Sequence, residues 1–324
     1  MPESSLIRFT DVRGHERARE FLRAALAHDR LPHALLFTGV DGIGKHALAL
    51  AFVARLQCER DGEDACGECS CCRQIAAASH PDVQLLAVTP GKKEIGIERI
   101  RELKRFMQLQ PMRGRAKVAI VDEAHRLTIP AQNALLKVLE EPPARSFLFL
   151  VSSNPGALLA TVRSRCQRLQ FAPLSTDVVV DILTATSKID AAAARELALL
   201  SEGSPGRAQT LEACLAGVSR ETWRQRLAGV EEAGYVRLAR MANELSSPES
   251  QVAVKLEMLL SDLRDQAVDN VSAEACGASP GAAIRLRHLG QRADAVDAAW
   301  NLIRRGNPNR QLLLEALLLQ LAGR

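Results

Sequence analysis

A glycine-rich loop between a short apolar run and an amphipathic helix constrains the fold of this chain more than any other feature. The loop, Gly39-Val40-Asp41-Gly42-Ile43-Gly44-Lys45, directly follows the apolar segment 34–38. In such a P-loop, backbone N–H groups at the helix N-terminus cradle phosphates, glycines permit the tight path, and the lysine reaches the terminal phosphates. We therefore predict a nucleotide-binding α/β domain; the alternative is a glycine-rich turn that only caps a helix. The predicted nucleotide-binding positions are Gly39, Gly42, Gly44, Lys45 and His46.

Position 46 departs from the P-loop pattern. The pattern has Ser or Thr there, whose hydroxyl binds Mg²⁺, whereas this chain has His46. An imidazole is a poor ligand for a hard cation that prefers oxygen. We expect weak or absent ATP hydrolysis, while ATP binding stays possible.

A second apolar run, 118–121, ends at Asp122 and Glu123. Ligands of parallel sheets gather at the carboxyl ends of strands, so this position suits a metal-binding Asp and a water-activating Glu. The alternative is a pair of carboxylates that favour the dipole of a following helix. The upstream P-loop favours the catalytic interpretation, although His46 limits what the pair could catalyse.

Four cysteines follow the P-loop at spacings typical of a zinc site. Cys58, Cys66, Cys69 and Cys72 are separated by seven, two and two residues, and Cys71 is a spare. Four thiolates complete a tetrahedral shell with no open position, so we predict a structural Zn²⁺. The alternative is a set of buried or redox-active thiols.

Short apolar runs alternate with helical patterns in the first half of the chain, which predicts a parallel sheet covered by helices. Beyond Pro173 only helical patterns remain, with breaks near Pro248, Pro280 and Pro308. Helices near 254–268 and 311–322 are apolar along one side, which favours internal packing over contact with another subunit. The five predicted strands are 34–38, 83–88, 117–122, 147–151 and 168–171.

Three domains follow from this organisation. Residues 1–172 form the P-loop domain, with the zinc module at about 58–72. Residues 173–208 form a small helical lid, and residues 209–324 form an all-helical domain.

Composition excludes some classes of protein. Aromatic residues make up 3% of the chain, too few for recognition of bases by stacking, and a net charge of +4 is too small for an autonomous DNA binder. The first residues lack a signal-peptide pattern, and no apolar run reaches the length of a membrane span. We expect a cytoplasmic protein with no membrane partner.

Three residues near the end of the sheet have competing interpretations. Asn154 follows a predicted strand, where it either senses a γ-phosphate or forms a turn before Pro155. Arg163 and Arg165 offer planar, permanently charged groups that suit an arginine finger, although surface salt bridges are the commoner role.

Further segments carry a family resemblance: Asp11-Val12-Arg13-Gly14-His15, Leu31-Pro32-His33-Ala34-Leu35-Leu36-Phe37, Ser79-His80-Pro81-Asp82, Asn133-Ala134-Leu135-Leu136-Lys137-Val138-Leu139-Glu140-Glu141-Pro142-Pro143 and Ser164-Arg165-Cys166. With the P-loop and the cysteines, they resemble the bacterial clamp-loader branch of the AAA+ ATPases. The resemblance is dense over residues 1 to about 208, and looser over 307–319, which looks like the helical collar of that branch.

The resemblance implies roles for single residues. Arg165 would be an arginine finger that acts in trans on a neighbour's ATP, Asn154 would be sensor 1, and Arg207 would lie close to the sensor-2 position. The implied partners are gamma/tau and delta subunits in a hetero-pentamer, and, through that complex, the sliding clamp and primer–template DNA.

Within this branch, a stator-like subunit competes with a gamma/tau-type ATPase motor. His46, the His80-Pro81-Asp82 segment and the short chain favour the stator. A DExH-type helicase, suggested by residues 122–125, needs a second set of strands that the sequence after Pro173 does not provide.

Overall fold

The computed structural model describes residues 8–187, 189–215, 230, 234–246, 252–275, 282–305 and 309–323. The chain divides into two compact units, Met1–Arg207 and Ala208–Arg324. Among the described helices, none has the length and apolarity to cross a membrane.

The first unit is built on a five-stranded parallel sheet with the order β2-β3-β4-β1-β5. Each predicted strand is present, with ends that differ by at most two residues from the prediction, so the parallel α/β fold is confirmed. The strands are β1 (Ala34–Thr38), β2 (Val83–Leu86), β3 (Lys117–Val121), β4 (Ser146–Ser152) and β5 (Gln167–Gln170).

Helices cover both faces of the sheet. All residues of β1 and β3 are buried, which explains why these strands read as continuous apolar runs rather than as alternating patterns. The helices associated with the sheet are α1 (Glu16–Ala27), α2 (Lys45–Gln57), α3 (Ser70–Ala76), α4 (Ile97–Gln108), α5 (Ile129–Glu140) and α6 (Ala160–Arg163). They are followed by α7 (Thr176–Ser187), α8 (Ala191–Leu200) and α9 (Pro205–Leu215), and the boundary between the two units falls within α9.

Alternate residues of each central strand face different hydrophobic cores. Leu36 of β1 lies in a core with residues of α4 and α5, and Leu35 lies in a second core with residues of α1 and α2. The sheet is therefore the middle layer of a sandwich. This packing holds the carboxyl ends of β1, β3 and β4 side by side, where the candidate site lies.

In the second unit, the four described helices that follow α9 share one core. Leu256, Leu259 and Leu263 lie in the same core as Leu314 and Leu318. The two helices predicted near 254–268 and 311–322 thus pack within the unit, as expected. The helices are α10 (Tyr235–Ser246), α11 (Val252–Ala275), α12 (Ala282–Arg305) and α13 (Arg310–Leu321), and the predicted breaks at Pro248, Pro280 and Pro308 lie outside the described residues.

Candidate functional site

The P-loop connects the carboxyl end of β1 to the first residue of α2. Gly39, Gly42 and Gly44 have φ angles of 155°, 69° and 102°, in the region that favours glycine. Gly44 is the N-cap of α2, so the N-terminal N–H groups of this helix face the loop. The loop has the backbone path that a phosphate cradle requires.

Lys45 folds back onto the loop. Its side chain is buried, and Nζ donates to the carbonyl oxygens of Gly39 at 2.8 Å and Val40 at 2.6 Å. Burial lowers the pKa of Lys45, against the opposing influence of Asp41 and Asp122. The ammonium group therefore binds carbonyl oxygens of its own loop.

His46 and Asp122 meet at the carboxyl edge of the sheet. The Nδ1 atom of His46 lies 3.0 Å from Oδ2 of Asp122, and both side chains are about one-third exposed. Burial alone would raise the pKa of Asp122, but the side chain of His46, the backbone N–H of Glu123 and the charge of Lys45 together lower it. An imidazole nitrogen thus occupies the place beside the aspartate where the P-loop pattern provides a hydroxyl.

Glu123, the neighbour of Asp122, starts a short turn. Its φ angle is 47°, and its Oε1 atom lies 2.9 Å from Nε of Arg126. Left-handed backbone at a non-glycine residue is uncommon and clusters at functional sites.

Asn154 follows β4 at the same edge of the sheet. Ser152, the last residue of β4, is the register partner of Thr38, the residue before Gly39. Asn154 itself is exposed, and its carbonyl oxygen accepts from the N–H of Ala157 in a short 3₁₀ turn. Asn154 therefore begins a turn, as one of the two interpretations predicts. Its role as a phosphate sensor stays a prediction.

A segment just before and within α9 packs directly on the P-loop. The hydroxyl of Ser204 donates to the carbonyl oxygen of Asp41 at 2.6 Å, and the N–H of Gly206 donates to that of Gly42 at 2.9 Å. A Cβ atom at Gly206 would lie 2.8 Å from the Cα of Gly42. The sequence marks Ser204 and Gly206 only as part of a turn; the small size of these two residues is the one local signal of this close approach.

Arg207 reaches the P-loop through its backbone. Its N atom would lie 3.1 Å from a Cβ at Gly42, whereas its guanidinium lies 3.2 Å from Oε2 of Glu202. The main chain of Arg207 therefore lies beside the P-loop, and its sensor-2 role stays a prediction.

His15 supports the P-loop from the other side. Its Nε2 atom lies 2.8 Å from the carbonyl oxygen of Ile43, and its ring packs against Phe171 at 4.7 Å between centroids. Burial lowers the pKa of His15. The sequence pattern gives no role to this residue beyond the family resemblance of its segment.

The four predicted cysteines converge on one point. The Sγ atoms of Cys58, Cys66, Cys69 and Cys72 all lie within 4.8 Å of one another. Cys66 and Cys72 are 3.9 Å apart, close to the edge of about 3.8 Å in a tetrahedron with Zn–S bonds of about 2.3 Å. The donor set and its spacing fit a tetrahedral metal ion.

Backbone N–H groups point at these sulfur atoms. The N–H groups of Glu68 and Cys69 lower the pKa of the Cys66 thiol to about 6, which favours the thiolate form that binds metal. Cys71 is not part of the cluster, and burial raises the pKa of its thiol to about 11. The predicted division into four candidate ligands and one spare cysteine matches the geometry.

The cysteine module also holds the start of the described chain. The carboxylate of Asp64 accepts from the N–H groups of Phe9 and Thr10, both at 3.0 Å. Phe9 is fully buried and packs edge-on against Phe52 of α2. The module therefore anchors a segment whose aromatic residue belongs to the main core.

Arg165 lies in the loop after α6. Its Nη2 atom lies 2.9 Å from Oε1 of Glu140, and its Nη1 donates to the carbonyl oxygen of Thr161 at 3.0 Å. The Arg165 side chain is 37% exposed, so its guanidinium is available at the surface.

Comparison with known proteins identifies the family. A family model described as DNA polymerase III, delta subunit, matches residues 14–175. The chain is 38% identical over 228 residues to the delta-prime subunit of DNA polymerase III from Escherichia coli (strain K12), covering 69% of this chain and 68% of that protein. It is 34% identical over 308 residues to the delta-prime subunit of Pseudomonas aeruginosa (strain PAO1), covering 90% and 92%. The chain belongs to the delta-prime family of DNA polymerase III subunits.

Members of a related family match a shorter stretch of this delta-prime chain. The tau subunit of DNA polymerase III from Bacillus subtilis (strain 168) is 36% identical over 174 residues, which is 53% of this chain and 30% of tau. The match to the Pseudomonas aeruginosa delta-prime subunit covers 90% of this chain, whereas the match to tau covers 53% of it. Of the two predicted clamp-loader subunits, delta-prime is confirmed.

The structure of this delta-prime chain brings together some predicted residues and separates others. The P-loop and the carboxyl edge of the sheet bring together Lys45, His46 and Asp122. The four cysteines converge on one point. The polar partners described for Arg165 lie on α5 and α6 instead.

Proposed function

We propose that this delta-prime chain is a stator-like subunit of a clamp loader, which does not hydrolyse ATP itself but helps to load the sliding clamp onto primer–template DNA. Its partners would be gamma/tau and delta subunits in a hetero-pentamer in the cytoplasm. The contact of His46 with Asp122 is the observation that carries the proposal.

The stator role rests on the chemistry of the P-loop. Magnesium bound with nucleotide takes oxygen ligands, and His46 offers a nitrogen beside the only carboxylate that follows β3 directly. Lys45 already binds two carbonyl oxygens of its own loop. Two of the three donors of the ammonium group are thus used within the loop and one remains for a phosphate, so ATP binding stays possible, but Glu123 would have no activated water to position.

In this proposal, the chain contributes Arg165 to the ATP site of a neighbour. A guanidinium forms charge-assisted, bidentate bonds with phosphate oxygens, and Arg165 is accessible at the surface. Asn154 would occupy the sensor-1 position and Arg207 would lie close to the sensor-2 position, without a reaction of this chain to support.

The cysteine cluster would hold a structural Zn²⁺ through Cys58, Cys66, Cys69 and Cys72. Four thiolates leave no position for substrate or water. In the wider architecture, residues 173–208 would act as a lid and residues 209–324 as a collar that joins subunits.

Steady-state ATP hydrolysis by the purified chain tests the stator role. We expect no turnover above that of Lys45→Ala, because the phosphate site lacks its magnesium hydroxyl. Turnover that Lys45→Ala abolishes would instead make this chain a motor of the gamma/tau type.

Reconstitution with the partner subunits tests the trans role of Arg165. We expect Arg165→Ala to lower clamp-dependent ATP turnover at the neighbour's site by about 10³-fold or more, the lower end of the effect of arginine fingers. Unchanged turnover would remove Arg165 from the neighbour's site.

A further inference from the structure

The side chain of Arg165 is held by an acidic residue of another helix. Glu140 is the last residue of α5, and Arg165 follows α6, so their ion pair at 2.9 Å joins two separate elements. Both side chains are partly exposed, at 37% for Arg165 and 50% for Glu140. The pair therefore lies where an incoming ligand could reach it.

The backbone that leads to Arg165 is fixed independently of this pair. Gln132, a buried residue of α5, donates from Nε2 to the carbonyl oxygens of Leu127 and Ala157, at 3.0 and 3.2 Å. Its Oε1 accepts from the N–H of Leu159 at 2.7 Å, immediately before α6. Helix α5 thus fixes the main chain with a buried amide, and it holds the guanidinium with an exposed carboxylate.

These two attachments differ in strength. A buried amide with all of its contacts made is costly to disrupt, whereas an exposed ion pair shifts an equilibrium by at most about fivefold. A phosphate group binds arginine through stronger, paired hydrogen bonds. Phosphate oxygens near Arg165 would therefore displace the carboxylate of Glu140 while the backbone stays in place.

We propose that Glu140 is a positioning residue that holds Arg165 in a resting place until the phosphates of a neighbour's nucleotide compete for it. This inference rests on the proposed trans role of Arg165. Glu140 keeps the finger ordered in the free subunit, and it also lowers the affinity of the finger for phosphate, because the two anions compete and repel each other. Removal of the charge of Glu140 therefore raises the affinity of Arg165 for phosphate.

The chain offers a matched control in the next residue. Glu141 is exposed like Glu140, and it makes no ion pair among the residues that the structure describes. Glu141→Gln therefore removes the same charge from the same end of α5 and leaves Arg165 with its partner.

The test is ATP turnover by the clamp loader reconstituted with the full-length chain and its partner subunits. Glu140→Gln is expected to raise kcat/KM for ATP by up to about fivefold, the range of an exposed ion pair, and Glu141→Gln to leave it unchanged. In the Arg165→Ala background, Glu140→Gln is expected to have no effect, because the competing group is gone.

The two proposals fail in different ways. If Arg165→Ala lowers turnover and Glu140→Gln lowers it or leaves it unchanged, the resting role of Glu140 is wrong and the trans role stands. An increase from Glu140→Gln that persists in the Arg165→Ala background also overturns the resting role. If Arg165→Ala has no effect, the trans role itself fails.

Discussion

The Nζ atom of Lys117 lies 2.9 Å from Oδ1 of Asp82, and both side chains are fully or almost fully buried. The Asp82 carboxylate also accepts from the backbone N–H groups of Met112, Arg113 and Gly114, at 2.7 to 2.8 Å. One carboxylate at the start of β2 thus fixes the loop that precedes β3.

Removal of this carboxylate is expected to destabilise the first unit strongly. Asp82→Asn leaves Lys117 charged and buried without its partner, and such losses cost about 3–5 kcal/mol. Urea denaturation measures the change in the free energy of unfolding. Asp61→Asn is the control, because Asp61 pairs with Arg115 at the surface and is 93% exposed; its effect should stay below about 1 kcal/mol. Equal effects of the two variants would contradict the structural role of Asp82.

The same carboxylate should give the stability a distinct dependence on pH. Burial alone would raise the pKa of Asp82, but the N–H groups and Lys117 hold it far below its ordinary value of 3.8. A depressed pKa contributes stability that is fully present above 3.8 and is lost as the pH falls toward the folded-state pKa. Below about pH 4, the free energy of unfolding of the native chain should therefore fall more steeply with pH than that of Asp82→Asn. Parallel pH profiles would be inconsistent with this assignment.

Substitution at position 46 should change how the P-loop responds to magnesium. His46→Thr restores a hydroxyl next to Lys45 and removes the imidazole that contacts Asp122. We expect Mg²⁺ to strengthen ATP binding by the variant about tenfold more than binding by the native chain, about 1.4 kcal/mol. Calorimetry with and without Mg²⁺ makes the measurement, with His125→Thr as a control at another histidine near the site. An identical magnesium effect in all three chains would rule out this explanation.

Loss of one cluster cysteine should release the metal and loosen the start of the chain. Cys58→Ser removes one of four converging sulfur atoms, so zinc should fall from about one ion per chain to near zero. Because Asp64 ties the module to Phe9 and Thr10, proteolysis near these residues should accelerate. Cys71→Ser, which changes a cysteine outside the cluster, should retain the metal. Metal loss in both variants would argue against the four-ligand set.

Two glycines should respond to alanine in opposite directions. Gly206→Ala places a Cβ atom 2.8 Å from the Cα of Gly42, where backbone meets backbone, and should destabilise the first unit by about 1–3 kcal/mol. Gly290 lies within α12 with open space around it, so Gly290→Ala should stabilise the second unit by about 0.5–1 kcal/mol. Thermal unfolding of each variant measures both shifts. A neutral Gly206→Ala would mean that the α9 segment does not rest on the P-loop in solution.

Features encoded by neighbouring residues could be predicted from the sequence. The strands were recognisable because buried parallel strands are uninterrupted apolar runs, as in β1 and β3. The cysteine cluster was recognisable because its ligands lie within fifteen residues of each other, from Cys58 to Cys72.

Contacts between distant segments could not be predicted in this way. Ser204 and Asp41 are 163 residues apart, and their hydrogen bond depends on the packing of residues 204–207 against the P-loop. Glu140 carries no local sign that it will meet Arg165, because the approach of α5 to α6 depends on packing around the sheet. Such pairs follow from topology, and the sequence pattern alone supplies only the elements that topology arranges.

The loop before β3 is held through its backbone, so the residues on its outer surface can change during evolution. Asp82 holds Met112 and Arg113 by their backbone N–H groups, which every residue except proline possesses. Side chains at these two positions can therefore be exchanged without loss of the bonds that shape the loop. Met112 is 77% exposed, so a substitution there changes the surface of the loop while its backbone frame stays the same.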